Sequence, residues 1–285
     1  MILVTGAGGT VGSEVVRQLR STGAPYRAAH HSQKKAEAAR ANGEDAVVID
    51  YAQPETVARA LEGVRTLFLL SGGAPDQTER EINAVNAAKS AGVERIVKLS
   101  VWGAEGEGFS FAKIHRPVEQ AIEASGLAWT HLRPNSFMQN MQNYLIGTIT
   151  SQGAFYSSIG DSKMSHIDVR DIGAVAVKTL TGGGHDSQAY SLSGPAALSY
   201  DEVAKILSDA TGRTIRYVNV TDDDVKQALM GGGAPEGYAN AYVDLLRYYR
   251  TGEGGRVTDT VRQILGRDPI SFEQYARDNA GVFAD

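Results

Sequence analysis

A run of small residues near the start of the chain has the composition and spacing of a phosphate-binding loop. The stretch "LVTGAGGTVG" covers residues 3–12 and follows directly on an apolar start. Glycines at this spacing allow a tight turn, let the backbone approach a pyrophosphate and let the next helix pack closely on a sheet. That helix would present its first amides and the positive end of its dipole to the phosphates. We interpret the loop as a phosphate cradle; the alternative is a tight strand-to-helix turn that binds no ligand. The predicted contacts are Gly6, Gly9, Thr10, Val11 and Gly12.

The residues after the second predicted strand indicate which dinucleotide would bind. An NAD site places Asp or Glu there, roughly 20 residues beyond the loop, to bind the ribose hydroxyls. Here the segment reads "HHSQKK" (30–35), and no acid appears before Glu37. A 2′-phosphate would meet no repelling carboxylate and would find a serine and a lysine. We favour NADP(H) over NAD(H), with His31, Ser32 and Lys35 as contacts; the alternative is that both lysines belong to a solvated helix face.

Two further strand ends complete the predicted cofactor crevice. Ligands of open parallel sheets bind outside the carboxyl ends of the strands. Asp50 ends the third strand and is a candidate acceptor for the adenine amino group, or alternatively a cap of the next helix. Leu70, Ser71 and Gly72 end the fourth strand and are predicted to line the crevice.

The elements that must position these residues alternate between strand and helix. Helix-like segments separate the strands, and each of the first five ends on a glycine, as expected at a left-handed helix terminus. This alternation predicts βαβ units and a parallel sheet covered on both faces. The fold class is therefore α/β: a Rossmann-type doubly wound parallel sheet with a smaller C-terminal α/β substrate lobe. The predicted strands are "MILVT" (1–5), "YRAAH" (26–30), "AVVID" (46–50), "RTLFLLS" (65–71), "RIVKLSV" (95–101) and "AWTHLRP" (128–134).

The regular alternation of strand and helix signals changes beyond residue 145. "SHIDVRDIGAVAVKTL" predicts a short strand, a cap at Asp171 and an apolar helix. Further strand and helix signals follow, and "TDDDVKQALM" (221–230) reads as a capped helix with an acidic first turn. We predict an NAD(P)-binding domain over 1–145 and a region over 146–285 that completes the sheet and forms an intercalated substrate lobe.

Composition limits the classes of function. The net charge of −5 argues against a general nucleic-acid binder, and a chain without cysteine has no thiolate chemistry and no disulfides. No apolar run approaches the roughly 18 residues of a membrane span. We expect a cytoplasmic protein without nucleic-acid or membrane partners. The sequence is compatible with a homodimer but identifies no interface.

The loop spacing and strand order resemble the short-chain dehydrogenase/reductase superfamily. That superfamily normally uses Tyr-x-x-x-Lys after the fifth strand, with tyrosine as the acid and lysine lowering its pKa. None of the 12 tyrosines here is followed four positions later by lysine. Phe111 stands at the tyrosine position and His115 at the lysine position. Because phenylalanine transfers no proton, an ordinary alcohol dehydrogenase mechanism is not expected.

The segments "VEQAIEASGL", "LRPNSFMQN" and "SLSGP" carry a closer resemblance. Over nearly its whole length the chain resembles the NmrA-like branch of atypical short-chain dehydrogenases, and within it the bacterial NAD(P)H:quinone oxidoreductases and triphenylmethane reductases. These relatives typically carry arginine where His31 stands here. The resemblance implies hydride transfer to a quinone or another conjugated electrophile, such as a cationic dye or an iminium. Such acceptors do not need a strong acid in the same step.

Two residues are candidates for the reaction itself. His115 is predicted to orient the nicotinamide ribose or to supply a late proton, and Pro117 places it near the start of its helix. Ser100 ends the fifth strand, where the superfamily places an active-site hydroxyl. The alternatives are a histidine packed for structure and a serine bonded to backbone.

The segment "RPNSFMQNM" (133–141) follows the sixth strand and is predicted to pass beside the nicotinamide. By the resemblance, Asn135 and Phe137 contact the cofactor. An apolar wall for a flat aromatic or quinone-like small molecule is the second expectation, with ordinary core packing as the alternative for each member. Its candidates are Trp102, Phe137, Met138, Met141, Phe155 and Tyr156.

Other clusters indicate no metal site. His166 and Asp168 alternate along one predicted strand, His30 and His31 are adjacent, and neither pair has further ligands at metal-site spacing. Two functions compete with the reductase. One is an NmrA-like redox sensor that binds NAD(P) without turnover and acts on a protein partner. The other, a sugar-nucleotide epimerase, needs the missing tyrosine.

Overall fold

The chain is described from a computed structural model, which covers residues 1–73 and 76–284. A seven-stranded sheet has the order β3-β2-β1-β4-β5-β6-β8, and all five pairings among β1 to β6 are parallel. Strand order reverses between β1 and β4, which makes their carboxyl ends the switch point of a doubly wound sheet. The predicted fold class is confirmed. The strands are β1 (Ile2–Val4), β2 (Tyr26–His30), β3 (Ala46–Val48), β4 (Thr66–Leu69), β5 (Arg95–Leu99), β6 (Ala128–Pro134), β7 (Ala154–Ser157), β8 (Gln188–Leu192) and β9 (Arg216–Asn219).

Helices connect the strands and end where the sequence predicts. All five glycines that close the predicted helical segments have positive φ, which ends a helix without the steric cost a Cβ would add. None of the helices in the described residues is long and apolar enough to span a bilayer. The helices are α1 (Thr10–Thr22), α2 (Gln33–Ala41), α3 (Pro54–Ala60), α4 (Gln77–Ser90), α5 (Ser110–Glu123), α6 (Ile146–Gln152), α7 (Val169–Thr181), α8 (Tyr200–Thr211), α9 (Asp222–Gly231), α10 (Glu236–Arg250), α11 (Thr260–Leu265), α12 (Phe272–Asp278) and α13 (Ala280–Ala284).

The chain divides into two compact units that interleave along the sequence. The first unit comprises Met1–Val101, Ile114–Arg133 and Ile172–Tyr190, and the second comprises Trp102–Lys113, Pro134–Asp171 and the chain from Ser191 onward. The first unit holds most of the large sheet, and the second holds the parallel pair β7 and β9. Assignment of cofactor binding to 1–145 and of substrate binding to 146–285 stays a prediction.

Each unit has its own apolar core. Leu3, Leu67 and Ile96 of the sheet are buried in the first unit together with apolar residues of α3, α4 and α5. Phe155 and Leu207 are fully buried in the second core, among residues from several helices. Loss of water from this apolar surface is the main stabilising contribution in both.

The start of helix α5 differs from the expectation. The helix begins at Ser110 and includes Pro117, so His115 lies inside it and not near its start. The cause is a cap from far along the chain: the carboxylate of Asp244 accepts hydrogen bonds from the amide and the hydroxyl of Ser110, both at 2.7 Å. Such a cap satisfies helix amides that otherwise lack partners.

The cap of helix α7 also differs. Asp171 was expected there, but the helix begins at Val169, and the carboxylate of Asp168 accepts from the amide of Arg170 at 2.8 Å. Asp171 lies in the first turn, where it accepts from the amide of Ile270 at 2.7 Å. The short strand expected before this helix is reduced to isolated bridges.

Candidate active site

The glycines at the two ends of the loop are required by the protein's own geometry. Gly6 has a φ of +61°, and a Cβ there would lie 2.9 Å from Leu70 Cγ. A Cβ on Gly12 would lie 2.1 Å from the carbonyl oxygen of Gly6, so a side chain would push helix α1 off the loop. Thr5 holds the turn on strand β4, because its hydroxyl donates to the Leu70 carbonyl and accepts from the Leu70 amide, both at 2.8 Å.

Gly9 is exposed, and the packing around it does not require a glycine. It is the N-cap residue of α1, and a Cβ there would have one neighbour within 4 Å, the Gly6 carbonyl oxygen at 3.4 Å. The space in front of Gly9 is therefore open, with the amides of the first helical turn behind it. A pyrophosphate fits this cradle, and a side chain on Gly9 would fill it.

The first two residues of α1 differ in what they offer a ligand. Thr10 is exposed, whereas Val11 is 3% exposed and belongs to the core. Val11 can therefore meet a phosphate only through its backbone amide. Both assignments stay predictions.

The segment after strand β2 brings a cation to the loop. Ser32 caps helix α2, with its hydroxyl accepting from the amide of Lys35 at 3.4 Å. The Lys35 ammonium donates to the carbonyl oxygen of Gly8 at 3.4 Å, and its side chain is exposed. His31 is exposed as well. Of the two lysines that favour NADP(H), Lys35 is the one with a contact to the phosphate loop.

Asp50 follows strand β3 but does not cap the next helix. The N-cap of α3 is Gln53, and the Asp50 carboxylate accepts from the Ala52 amide at 3.0 Å and from the Gln53 side chain at 3.1 Å. The helix-cap alternative is therefore wrong. Asp50 is half-buried, and its role toward adenine stays a prediction.

The end of strand β4 connects the crevice to a buried ion pair. The hydroxyl of Ser71 donates to the carboxylate of Glu81 at 2.7 Å, and that carboxylate lies 2.7 Å from the Lys98 ammonium. Glu81 and Lys98 are fully buried. Leu70 is half-buried, and Gly72 is exposed with nothing within 4 Å of a Cβ position.

His115 joins the same network. Its Nδ1 lies 3.2 Å from the Lys98 ammonium. Burial, and then the charge of Lys98, lower the pKa of His115 to about 3, so its ring is neutral at physiological pH. Burial alone would raise the pKa of Glu81, but the charge of Lys98 and the hydrogen bond from Ser71 lower it overall, so the carboxylate is ionised.

Glu81 and Lys98 were not among the predicted site residues. The signal was present in "RIVKLSV", where a lysine stands within an apolar strand. A lysine is almost never fully buried unless it is paired, so its position predicts an acidic partner. The partner lies 17 residues earlier on α4 and is invisible to local pattern.

Ser100 lies beside a second buried network. Its hydroxyl is buried and makes no hydrogen bond of ordinary geometry in the described part of the chain, although it helps to lower the pKa of Glu119. Burial would raise that pKa, but Arg133, donating at 2.7 and 2.9 Å, is the main reason it falls to about 2.

One group in the described residues has metal-ligand spacing: Glu119, Glu123 and His131. Both carboxylates already bind guanidinium groups, Glu119 that of Arg133 and Glu123 that of Arg116 at 2.6 Å. These two guanidinium groups would repel a metal ion at the same carboxylates. We therefore interpret the group as an ion-pair network that joins α5 to β6.

Asn135 and Phe137 lie in the second unit. The Asn135 amide nitrogen donates to the Ser165 hydroxyl at 2.8 Å and to the Gly254 carbonyl at 2.9 Å. Asn135 is 1% exposed, so its side chain holds the segment in place. Phe137 is half-buried, and its backbone forms a bridge with Ile167. Contact of either with a cofactor stays a prediction.

Most residues of the predicted apolar wall belong to the core of the second unit. Trp102, Met138, Met141 and Phe155 are at most 2% exposed. A side chain buried to this degree can shape a binding surface from behind but does not reach a ligand at it. Tyr156 differs: it is 38% exposed, and its hydroxyl donates to Gln152.

An aromatic cluster with an exposed edge lies in the same unit and was not predicted. Phe111 and Tyr238 have ring centroids 5.8 Å apart. Burial and the hydroxyl of Tyr144 raise the pKa of Tyr238. Burial, and then the hydroxyls of Tyr238 and Tyr144, raise the pKa of Tyr242 to about 12. Tyr144 is 67% exposed and lies within a π-helical turn over Met141–Leu145, a feature frequent at functional sites. The i, i+4 spacing of Tyr238 and Tyr242 was the available signal. We call Phe111, Tyr144, Tyr238 and Tyr242 the aromatic cluster.

Comparisons with known proteins bear on this arrangement. The profile described as the NmrA-like family matches residues 1–269. An NAD(P)H azoreductase of Xenophilus azovorans is 40% identical over an alignment of 286 positions that covers 99% of each chain. The NADPH-dependent quinone oxidoreductase of Escherichia coli, solved with NADPH, is 27% identical with a TM-score of 0.87, over 98% of this chain and 99% of that one. The triphenylmethane reductase of Citrobacter sp., solved with NADP(H), is 26% identical with a TM-score of 0.86 and the same coverage.

Proposed function

The chain belongs to the NmrA-like family, and from this premise we propose that it is an NAD(P)H-dependent reductase that transfers hydride to a quinone, a dye or a similar conjugated electrophile. The observation that carries the proposal is the open cradle at Gly9. The protein's own packing does not require a glycine at this position. The relatives support it, because one is named an NAD(P)H azoreductase and another a quinone oxidoreductase.

The residues present fit a bound dinucleotide. Gly6, Gly9 and the first amides of α1 would hold its pyrophosphate, and Lys35 with Ser32 would bind a 2′-phosphate. We propose NADP(H) in preference to NAD(H) on the position of Lys35. Two relatives of known structure were solved with NADPH or NADP(H).

The proposed acceptor class follows from what the chain lacks at the acid position. When bound, the reduced nicotinamide supplies a hydride. Phe111 replaces the usual tyrosine, and His115 is neutral, so neither residue gives up a proton readily. A quinone that receives hydride becomes a hydroquinone monoanion, which water protonates afterwards. A cationic dye becomes neutral and needs no proton.

The aromatic cluster supports a flat acceptor. Exposed aromatic rings give stacking area to planar conjugated molecules, and tyrosine hydroxyls add hydrogen bonds at the edge. We propose the aromatic cluster together with Phe137 and Tyr156 as acceptor contacts, and Trp102, Met138, Met141 and Phe155 as their support. Asp50, Leu70, Ser71 and Gly72 are proposed to line the cofactor, and His115 and Ser100 to act in the reaction. Asn135, which is 1% exposed, is proposed to hold in place the segment that follows strand β6.

Steady-state turnover tests the function. Purified protein is mixed with NADPH or NADH and with quinones, an azo dye and a triphenylmethane dye, and loss of nicotinamide absorbance is followed. The expected result is turnover of at least one class, faster with NADPH. Tight dinucleotide binding without turnover of any acceptor would favour the redox sensor instead.

A further inference from the structure

Lys98 is a fully buried lysine that forms one ion pair and two further polar contacts. Its ammonium lies 2.7 Å from a carboxylate oxygen of Glu81, 2.7 Å from the Leu99 carbonyl oxygen and 3.2 Å from His115 Nδ1. A lysine ammonium has three N–H donors and no acceptor. The Leu99 carbonyl and His115 Nδ1 lie in hydrogen-bond geometry, Glu81 balances the charge, and all the groups involved belong to the first unit.

This arrangement determines the tautomer of His115. A donor that has no lone pair can only meet a nitrogen that accepts, so Nδ1 carries no proton. The proton of the neutral ring is then on Nε2. No hydrogen-bond partner for Nε2 occurs among residues 1–73 and 76–284, so this N–H is available to a ligand.

We propose that Glu81 and Lys98 are positioning residues that hold His115 as the Nε2–H tautomer, so that His115 serves as a fixed hydrogen-bond donor to a bound ligand and not as a source of protons. The assignment rests on the proposed reductase function and deepens it. It replaces the late-proton role predicted from sequence with the orienting one.

The charges around His115 support a permanently neutral ring. Lys98 faces it from β5, Glu81 from α4 and Glu119 from its own helix. The two carboxylates would favour the imidazolium, but burial and the ammonium of Lys98, 3.2 Å from Nδ1, outweigh them and keep the pKa of His115 far below neutrality. The donor strength of the Nε2–H is then constant over the physiological pH range.

Ser71 extends the network to the end of strand β4. Its hydroxyl donates to the same carboxylate that binds Lys98, at 2.7 Å. Strand β4 borders the switch point of the sheet, where ligands of doubly wound folds bind. The network thus joins a residue at the proposed cofactor crevice to the residue proposed to act in the reaction.

The tautomer is measured directly by NMR. Protein labelled with ¹⁵N-histidine is recorded from about pH 5.5 to about pH 8, a range that spans the ordinary histidine pKa. The His115 signals are assigned by their loss in His115→Gln. The expected result is an Nε2–H tautomer that does not titrate. An Nδ1–H tautomer, or protonation within this range, would overturn the proposal, whether or not the protein turns over any acceptor.

Variants test the positioning role. Lys98→Met leaves Glu81 unpaired and is expected to bring His115 titration into the measured range. If that variant does not fold, the double variant Glu81→Gln/Lys98→Met keeps the interior neutral. There we expect His115 to populate both neutral tautomers, because nothing fixes Nδ1. Retention of a pure Nε2–H tautomer in the double variant would contradict the assignment.

Activity gives a second readout. Glutamine places an amide donor near the Nε2 position of histidine, and asparagine places one near Nδ1. His115→Gln should keep kcat within about threefold, whereas His115→Asn should lose about tenfold, the value of one hydrogen bond in the transition state. Equal losses in both variants would contradict a donor role at Nε2. Absence of turnover in the unaltered protein would instead refute the proposed function.

Discussion

The ammonium of Lys35 lies 3.4 Å from the carbonyl oxygen of Gly8, so a cation on the second helix reaches the phosphate-binding loop. The contact is long for a hydrogen bond and exposed, and it contributes little to stability. Its consequence is electrostatic: a positive charge is held beside the place where strand β2 ends, and no carboxylate precedes Glu37 there.

Replacement of Lys35 should therefore weaken the binding of NADPH more than the binding of NADH. Lys35→Gln is expected to weaken NADPH binding about tenfold, the value of one charge-assisted hydrogen bond, and to change NADH binding less than about twofold. Lys34→Gln is the matched control, because Lys34 is the exposed neighbour on the same helix and has no contact with the loop. Calorimetric titration of both variants with both cofactors measures this. Equal losses for NADPH and NADH would remove the basis for the NADP(H) preference.

The glycines of the loop should divide into ligand-facing and structural positions. Gly9→Val is expected to abolish dinucleotide binding while the free energy of unfolding stays within about 0.5 kcal/mol of the parent, because its Cβ meets open space. Gly12→Ala should instead lower the free energy of unfolding by about 2 kcal/mol or more, since its Cβ would overlap the Gly6 carbonyl. Denaturant unfolding and calorimetry measure the two effects. Unchanged affinity in Gly9→Val would refute the cradle.

Tyr144 and Tyr156 offer a matched test of the acceptor surface. Tyr144→Ala is expected to raise KM for a naphthoquinone about tenfold, the value of one lost aromatic contact, and to leave NADPH binding unchanged. Tyr156→Ala removes a proposed acceptor contact that lies outside the aromatic cluster, and we expect it to raise KM less than Tyr144→Ala does. A larger effect from Tyr156 than from Tyr144 would move the acceptor site to strand β7.

Sequence pattern predicted the fold well because its signals are local. Glycines such as Gly23 and Gly126 end helices through their own φ angles, and strands such as β2 and β6 begin and end at the predicted residues. The local geometry of the glycine loop was predicted from sequence for the same reason. A turn, a close approach and a helix start all lie within ten residues.

The parts that sequence did not predict depend on distant partners. Asp244 sets the start of helix α5 from 134 positions away, and Glu81 pairs with Lys98 across two elements. The apolar wall was predicted from residue type, but type does not distinguish a buried Met138 from a surface contact. Long-range contacts decide both matters, and a single sequence does not reveal them.

Burial of His166 predicts a pH dependence of stability. The ring is 2% exposed, its centroid lies 5.9 Å from that of Tyr200, and burial lowers its pKa to about 4. In the unfolded chain its pKa returns to about 6.5, so the unfolded state binds more protons between these values, and stability falls as pH falls through this window.

His166→Leu should remove that contribution. As the pH falls from about 6.5 to about 5, the free energy of unfolding should fall in both proteins. The fall should be about 2 kcal/mol smaller in the variant than in the parent. Above the ordinary histidine pKa the two proteins should show the same slope, which serves as the internal control. Parallel curves through the acidic window in denaturant titrations would contradict a neutral buried His166.

Single-turnover hydride transfer tests the central claim most directly. The protein is premixed with NADPH that carries deuterium or hydrogen at the transferred C4 position, and it is then mixed rapidly with a naphthoquinone. The reductase account predicts loss of nicotinamide absorbance at a rate that is slower with deuterium, with one hydroquinone formed for each NADPH oxidised. Dinucleotide that stays bound and reduced with every acceptor would contradict the account, and it would leave a protein that senses the cofactor without consuming it.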